Sequence, residues 1–272
     1  MRAVRWWFFG LVLVLVHAPS LAAGPIGDKN LETAIRGVLR DVKGDLTDKD
    51  LANVYILEAD GKSIASLAGL EKCKNLAQLK LSNNQIADLT PLKDLTNLQS
   101  LDLSHNKITD PAPLKSLVAL QYLELSHNEI AKVEALTGLT KLSALYLSHN
   151  QVADIAPLGS LASLASLYLD HNQVQDLSPL TKVTKLNCLD LRDNQIKDIA
   201  PLAKQTELRI LMLERNQIAD LAPLVESAKA DAGGEKRFAP YLRLYLAGNP
   251  LSDTAKMQQS TALKQYGVRI ES

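Results

Sequence analysis

An asparagine returns every 22 residues along most of this chain, at Asn84, Asn106, Asn128, Asn150, Asn172, Asn194 and Asn216. A fixed period of this size means that one supersecondary unit is repeated, and that each unit buries its apolar residues against the next. The chain must therefore fold as a solenoid. A solenoid offers a long continuous face and no deep pocket by default, and such faces contact other molecules.

The unit at 98–119 shows the logic of each position. Leu98, Leu101 and Leu103 alternate with polar residues, as a half-buried strand requires. Leu101 and Leu103 point to the core, while Ser100, Asp102 and Ser104 point outward, because side chains alternate across a strand. Ile108, Leu114 and Leu117 turn inward from the opposite wall. The asparagine sits where the chain leaves the strand and buries backbone groups that no ladder satisfies. Its carboxamide both donates and accepts, so it is expected to pair with backbone above and below. Aspartate recurs at Asp88, Asp110, Asp154, Asp176, Asp198 and Asp220, and proline three residues later at Pro91, Pro113, Pro157, Pro179, Pro201 and Pro223. Aspartate caps a helix start, and proline fits a first helical turn, where its missing N–H has no partner anyway. A short 3₁₀ turn on the outer wall follows. The coil at 120–141 carries Lys132 and Ala135 in those two places, so its outer wall is predicted to be less well capped.

The frame L-x-x-L-x-L-x-x-N-x-[I/V], extended upstream as D-L-x-P-L from Asp88 through Ile108, resembles the internalin-like subclass of bacterial leucine-rich repeats. The resemblance covers roughly residues 54–251. It implies an α/β repeat fold: a curved leucine-rich-repeat solenoid with a parallel concave β-sheet and a short 3₁₀ or turn convex wall. It also implies protein recognition through the concave face. It names no partner, because the frame residues are structural.

Both ends depart from the frame. Residues 1–23 read as a secretory leader: Arg2 and Arg5 precede an apolar run from Trp6 to Val16, and Ser20-Leu21-Ala22 offers small residues for cleavage. The run is short for a membrane-spanning helix of about 20 residues, although an uncleaved anchor is the other reading of it. Secretion or a periplasmic or cell-envelope location follows. Residues 24–53 read as a helical N-terminal cap, with Leu31, Ile35, Val38, Leu39 and Val42 as one apolar stripe, Asp28 or Asn30 as its start and Gly44 as its stop. Thr47 to Asp50 suggests a second short helix. Lys62 replaces the asparagine in a degenerate first coil at 54–75. Near residues 228–240 an extra stretch containing Gly233 and Gly234 reads as an outward loop on the convex side. Residues 252–272 read as a C-terminal cap, with a helix begun by Ser252 or Asp253, stopped by Gly267 and followed by a final strand at Val268 to Ile270.

Thirty basic residues oppose thirty acidic ones; without the leader's Arg2 and Arg5, 28 face 30, a net charge of about −2. That balance gives no footprint for nucleic acid and no polybasic membrane patch. The two cysteines, Cys73 in the core of the first coil and Cys188 at an outward strand position, lie five coils apart. Strand spacing puts them roughly 25 Å apart, so they do not pair. Cys188 is read as a solvated free thiol.

No catalytic motif is present: no G-x-S-x-G, no H-E-x-x-H, and no glycine-rich loop before a helix. The chain reads as a non-enzyme without cofactor. His105, His127, His149 and His171 each precede a ladder asparagine and stack about 5 Å apart. Such a row suggests zinc, but a straight line of imidazoles does not surround an ion, so no metal site is expected.

The outward strand columns carry more information. One runs Glu58, Lys80, Asp102, Glu124, Tyr146, Tyr168, Asp190, Met212, Tyr245; its neighbours carry Tyr122 and Ile210 on one side and Arg192 on the other. Tyrosine is enriched at interface hot spots because it offers rigid area with a polar tip. Tyr122, Glu124, Tyr146, Tyr168, Asp190, Arg192, Met212 and Tyr245 are therefore the candidate contacts for a protein or peptide ligand, bound by a monomer. The competing reading is a structural, self-associating envelope protein. A phosphatase-regulator scaffold shares the repeat type, but the leader speaks against it.

Overall fold

The structure is a computed structural model describing residues 24–234 and 236–271, and the leader inferred for residues 1–23 lies outside them. Ten three-residue strands, from β1 (Ile56–Glu58) to β10 (Arg269–Glu271), form one parallel sheet in chain order. The register repeats the sequence period: Leu79 pairs with Leu101, Leu101 with Leu123, Leu123 with Leu145 and onward. These leucines are fully buried, as are Leu103, Ile108, Leu114 and Leu117 of the 98–119 unit. Each contributes roughly 1.5–3 kcal/mol by leaving water. No single coil encloses its own leucines, so that gain exists only in the stack.

The outer wall is made of short 3₁₀ turns, among them Thr90–Leu92, Ala112–Ser116, Ala156–Ser160 and Ala200–Lys204. The recurring aspartate satisfies their first free N–H: Asp88 accepts from the Thr90 N–H, Asp110 from Ala112, Asp154 from Ala156 and Asp198 from Ala200, each at 2.8 Å. The turn at Glu134–Leu136 lacks that aspartate, and Val133 before it supplies no side-chain bond.

The asparagine ladder differs in one respect from expectation. Each carboxamide serves its own coil and the preceding one, and does not reach forward. Asn150 Nδ2 donates to Leu147 O and Ser148 O in its own coil and to Leu125 O one coil back. Its Oδ1 accepts from the Ile130 N–H at 2.9 Å, also one coil back. Asn84 does the same for the degenerate first coil, accepting from Lys62 N and Ile64 N.

At the N-terminal end, α1 (Lys29–Leu39) is capped by Asp28 and buries Leu31 and Ile35. Two expectations for it fail. Val38 is 41% exposed, at the edge of the stripe that Leu31 and Ile35 bury. The helix stops at Arg40, in a positive-φ conformation (48°), and not at Gly44. A capping box of Thr47 and Asp50 starts α2 (Asp48–Leu51).

The stretch near 228–240 is no outward loop. Here the 3₁₀ turn is extended into an α-helix, α3 (Ala222–Ala232), which buries Leu224 and Ala228. The chain then returns with Phe238 wholly buried. The Asp231 carboxylate organises that return, accepting from the backbone N–H groups of Arg237, Phe238 and Ala239. Glycine content and charge suggested a loop, while the apolar Leu224 and Phe238 that anchor the segment lie on either side of them. At the far end, α4 (Ser260–Gln265) follows a π-helical turn, and Gly267 takes φ 99° before β10 pairs with Arg243–Tyr245.

Candidate recognition face

The sheet puts one side chain per coil into each outward column, and strand pairing fixes which residues are neighbours. Glu124 pairs with Tyr146, Tyr146 with Tyr168, Tyr168 with Asp190, and Asp190 with Met212. The Tyr146 and Tyr168 rings stack at 4.7 Å between centroids, 15° apart in plane. Tyr122 leans on Tyr146 from the adjacent column at 5.4 Å, tilted by 45°. The three tyrosines thus form one half-exposed aromatic patch. Burial raises the Tyr146 phenol pKa and pushes that of Tyr122 up to about 12, so both are neutral donors at physiological pH.

The other candidates divide. Glu124 borders the patch, and burial raises its carboxyl pKa against the opposing bond from Ser126. Asp190, placed outward by its strand column as a candidate contact, is instead fully buried. Its carboxylate is gripped by Arg192, whose Nε donates to Oδ1 at 2.9 Å and whose Nη2 donates to Oδ2 at 2.6 Å. This pairing raises the Arg192 pKa and leaves its guanidinium partly covering the carboxylate. Met212 lies beyond Asp190, and Tyr245 beyond Met212, so neither joins the aromatic patch. The Tyr245 ring instead sits under the Arg243 guanidinium at 5.7 Å.

Cys188 is also corrected. It is 8% exposed, and its thiol donates to Tyr168 Oη at 3.2 Å. The strand position does point outward, but the neighbouring tyrosine lies over it. Burial raises the thiol pKa, so Cys188 is not the accessible thiol that position alone suggested.

The histidine row is tighter than strand spacing predicts. Consecutive rings of His105, His127, His149 and His171 stack at 4.0, 4.1 and 3.9 Å. Each backbone has φ between 53° and 57°, and the same column continues with Asn83, Asp193 and Arg215 in that conformation. The position before the ladder asparagine is therefore left-handed, where asparagine, aspartate and histidine are enriched. That geometry explains why histidine can fill it. Desolvation, with the charges of His105 and His149, holds His127 below the ordinary imidazole pKa.

Two acidic residues, Asp170 and Asp193, stand at the C-terminal end of the row. Asp170 stands where four serines precede it in its column, and is 6% exposed. It accepts from Ser148 Oγ and lies 3.1 Å from His171 Nδ1 and 3.8 Å from His149 Nε2. Asp193 approaches His171 Nε2 at 3.3 Å and is itself clamped by Arg215. The serine-to-aspartate switch at 170 was the available signal.

The family described as Leucine Rich repeats (2 copies) matches residues 96–141, 140–182 and 184–226. The solved structure of internalin C2 from Listeria monocytogenes is 37% identical, over 73% of this chain and 89% of that one, with a TM-score of 0.71. The chain belongs to the internalin-like leucine-rich repeat proteins. A leucine-rich repeat protein of Leptospira interrogans shares the fold at 21% identity and a TM-score of 0.60, covering 76% of this chain and 57% of that one. So does the ectodomain of the Arabidopsis thaliana receptor kinase GASSHO1/SCHENGEN3, solved with CASPARIAN STRIP INTEGRITY FACTOR 2, at 24% identity and 0.64, covering 83% of this chain and 28% of that one. No curated protein sequence matches the chain. Among the described residues of this internalin-like chain, no helix is long and apolar enough to cross a membrane.

Proposed function

We propose that this chain is a secreted or cell-envelope recognition module that binds a protein or peptide ligand on its sheet face as a monomer. The carrying observation is the patch of Tyr122, Tyr146 and Tyr168, half-exposed at the middle of a ten-stranded sheet. Rings held by one another lose little conformational freedom when a partner covers them, which concentrates binding energy at the centre of an interface. Kinship with internalin C2, and the plant receptor ectodomain seen with its factor, support an interaction scaffold and not an enzyme.

The test is a pull-down with the leaderless protein from the source's own secreted or envelope fraction, followed by titration of the captured partner. A discrete partner is expected, and self-association alone would favour a structural role. The Tyr146→Ala/Tyr168→Ala pair should weaken binding by at least about 2 kcal/mol, roughly thirtyfold. Alanines at Lys93 and Lys115, exposed on the outer wall, should leave it intact. Equal affinity of the tyrosine pair and the parent moves the site off this face.

A further inference from the structure

The histidine row alone does not surround an ion, but its C-terminal end does not consist of histidines alone. One ligand atom each of His149, Asp170 and His171 lie mutually within 4.8 Å, and His149 Nε2 and His171 Nδ1 both face Asp170 Oδ2. We propose that these three residues form a site for a divalent transition metal of the zinc class.

Four features carry this. The first is distance. Ligand atoms around a tetrahedral ion with bonds of about 2.0–2.1 Å are about 3.3 Å apart, and the two histidine–Asp170 separations of 3.1 and 3.8 Å bracket that value. The second is donor type: two imidazoles and one carboxylate suit zinc, copper or nickel, whereas calcium and magnesium require a shell of oxygens. The third is position. Asp170 comes from the strand column beside the row, so the ligands define a triangle and not a line, and the carboxylate is nearly buried and held by Ser148 Oγ. The fourth is support behind the ligands. With Nδ1 on the metal, His171 Nε2–H faces Asp193 Oδ2 at 3.3 Å, and Asp193 is fixed by Arg215. A carboxylate behind a ligating histidine is the usual means of fixing its tautomer and orientation.

The near-parallel rings, 17° apart, do not yet converge their lone pairs. His149 must rotate about its side-chain bonds to close the site, and its side chain is 40% exposed, which leaves room for this. Three protein ligands leave a fourth position open to solvent, in the groove that also contains Tyr168 and Arg192.

The experiment is calorimetry of the metal-free protein with zinc chloride, with cobalt(II) absorption reporting coordination. One zinc per chain is expected, with millimolar calcium unable to compete. Asp170→Asn and His149→Ala should each weaken zinc at least tenfold, and Asp193→Asn should also weaken it. His105→Ala, two coils away in the row, should bind as the parent does. His149→Ala removes a surface ring only, so it keeps the test valid even if Asp170→Asn disturbs the fold. No saturable binding at 100 μM zinc, unchanged binding in both ligand variants, or an equal loss in His105→Ala would overturn the site. In that event Asp170, His171 and Asp193 form a plain chain of polar side-chain contacts.

Discussion

The Cys188 thiol donates to the hydroxyl of Tyr168, on the preceding coil, at 3.2 Å and is 8% exposed. An outward strand position and an accessible side chain are thus different things on this face, because the large ring of one coil roofs the small residue of the next. A disulfide reagent should accordingly react slowly with the native protein. Tyr168→Ala removes the roof and the acceptor, and the rate should rise at least tenfold. Equal rates in the two proteins would mean that the ring does not shield the thiol.

Asn150→Ala removes three donated bonds and the acceptor for Ile130 N–H, in the middle of the stack. Leaving such buried groups unpaired costs roughly 1–3 kcal/mol. The urea midpoint should fall accordingly. An unchanged midpoint would show that the ladder contributes no net stability.

The pH response of the N-terminal cap follows from Asp28. Burial opposes its ionisation, but the backbone N–H groups of Ala65, Leu31, Ser66 and Asn30 outweigh this and hold its pKa below the usual 3.8. A depressed carboxylate pKa stabilises the fold at neutral pH, and the contribution fades as pH falls from about 4 through the folded-state pKa. Two of those bonds join the helix cap to the first coil. Urea midpoints measured between pH 5 and pH 2 should therefore fall less in Asp28→Ala than in the parent. Parallel curves would remove Asp28 as the cause.

Within α1 the two apolar residues Leu31 and Val38 should behave oppositely. Leu31 is fully buried, and Leu31→Ala should cost about 2–5 kcal/mol. Val38 is exposed, and Val38→Ala should stay within about 0.5 kcal/mol. Thermal or urea melts distinguish these outcomes, and a comparable loss at both positions would contradict the packing of this helix.

Much of this was legible from period alone. A 22-residue spacing fixes the strand register, so the neighbours of Tyr146 could be named in advance. What the period could not carry was the size of those neighbours. It placed Asp190 and Cys188 outward, and only the three-dimensional overlap of Arg192 and Tyr168 with them shows that both are covered. It put the histidines in one row but did not show that their backbone is left-handed, which is why the same column also accepts Asn83, Asp193 and Arg215. Where the period broke, after Asn216, local composition was the remaining guide. It favoured a loop, because the anchoring Phe238 lies outside the glycine-rich run.

The backward reach of the asparagines gives the molecule a direction. In this ladder the isoleucine or valine N–H of each coil is bonded by the asparagine of the coil that follows, never by that of the one before. Removing coils from the N-terminal side leaves the new first asparagine with spare capacity and orphans nothing in this ladder. Removing them from the C-terminal side always strands one N–H, such as that of Ile130 when Asn150 is lost. A chain made from its N-terminus therefore carries one unfinished coil at its growing tip at every stage of synthesis. Copying a unit into the middle of the array creates no new unfinished end, which makes internal duplication the tolerant route by which such an array lengthens.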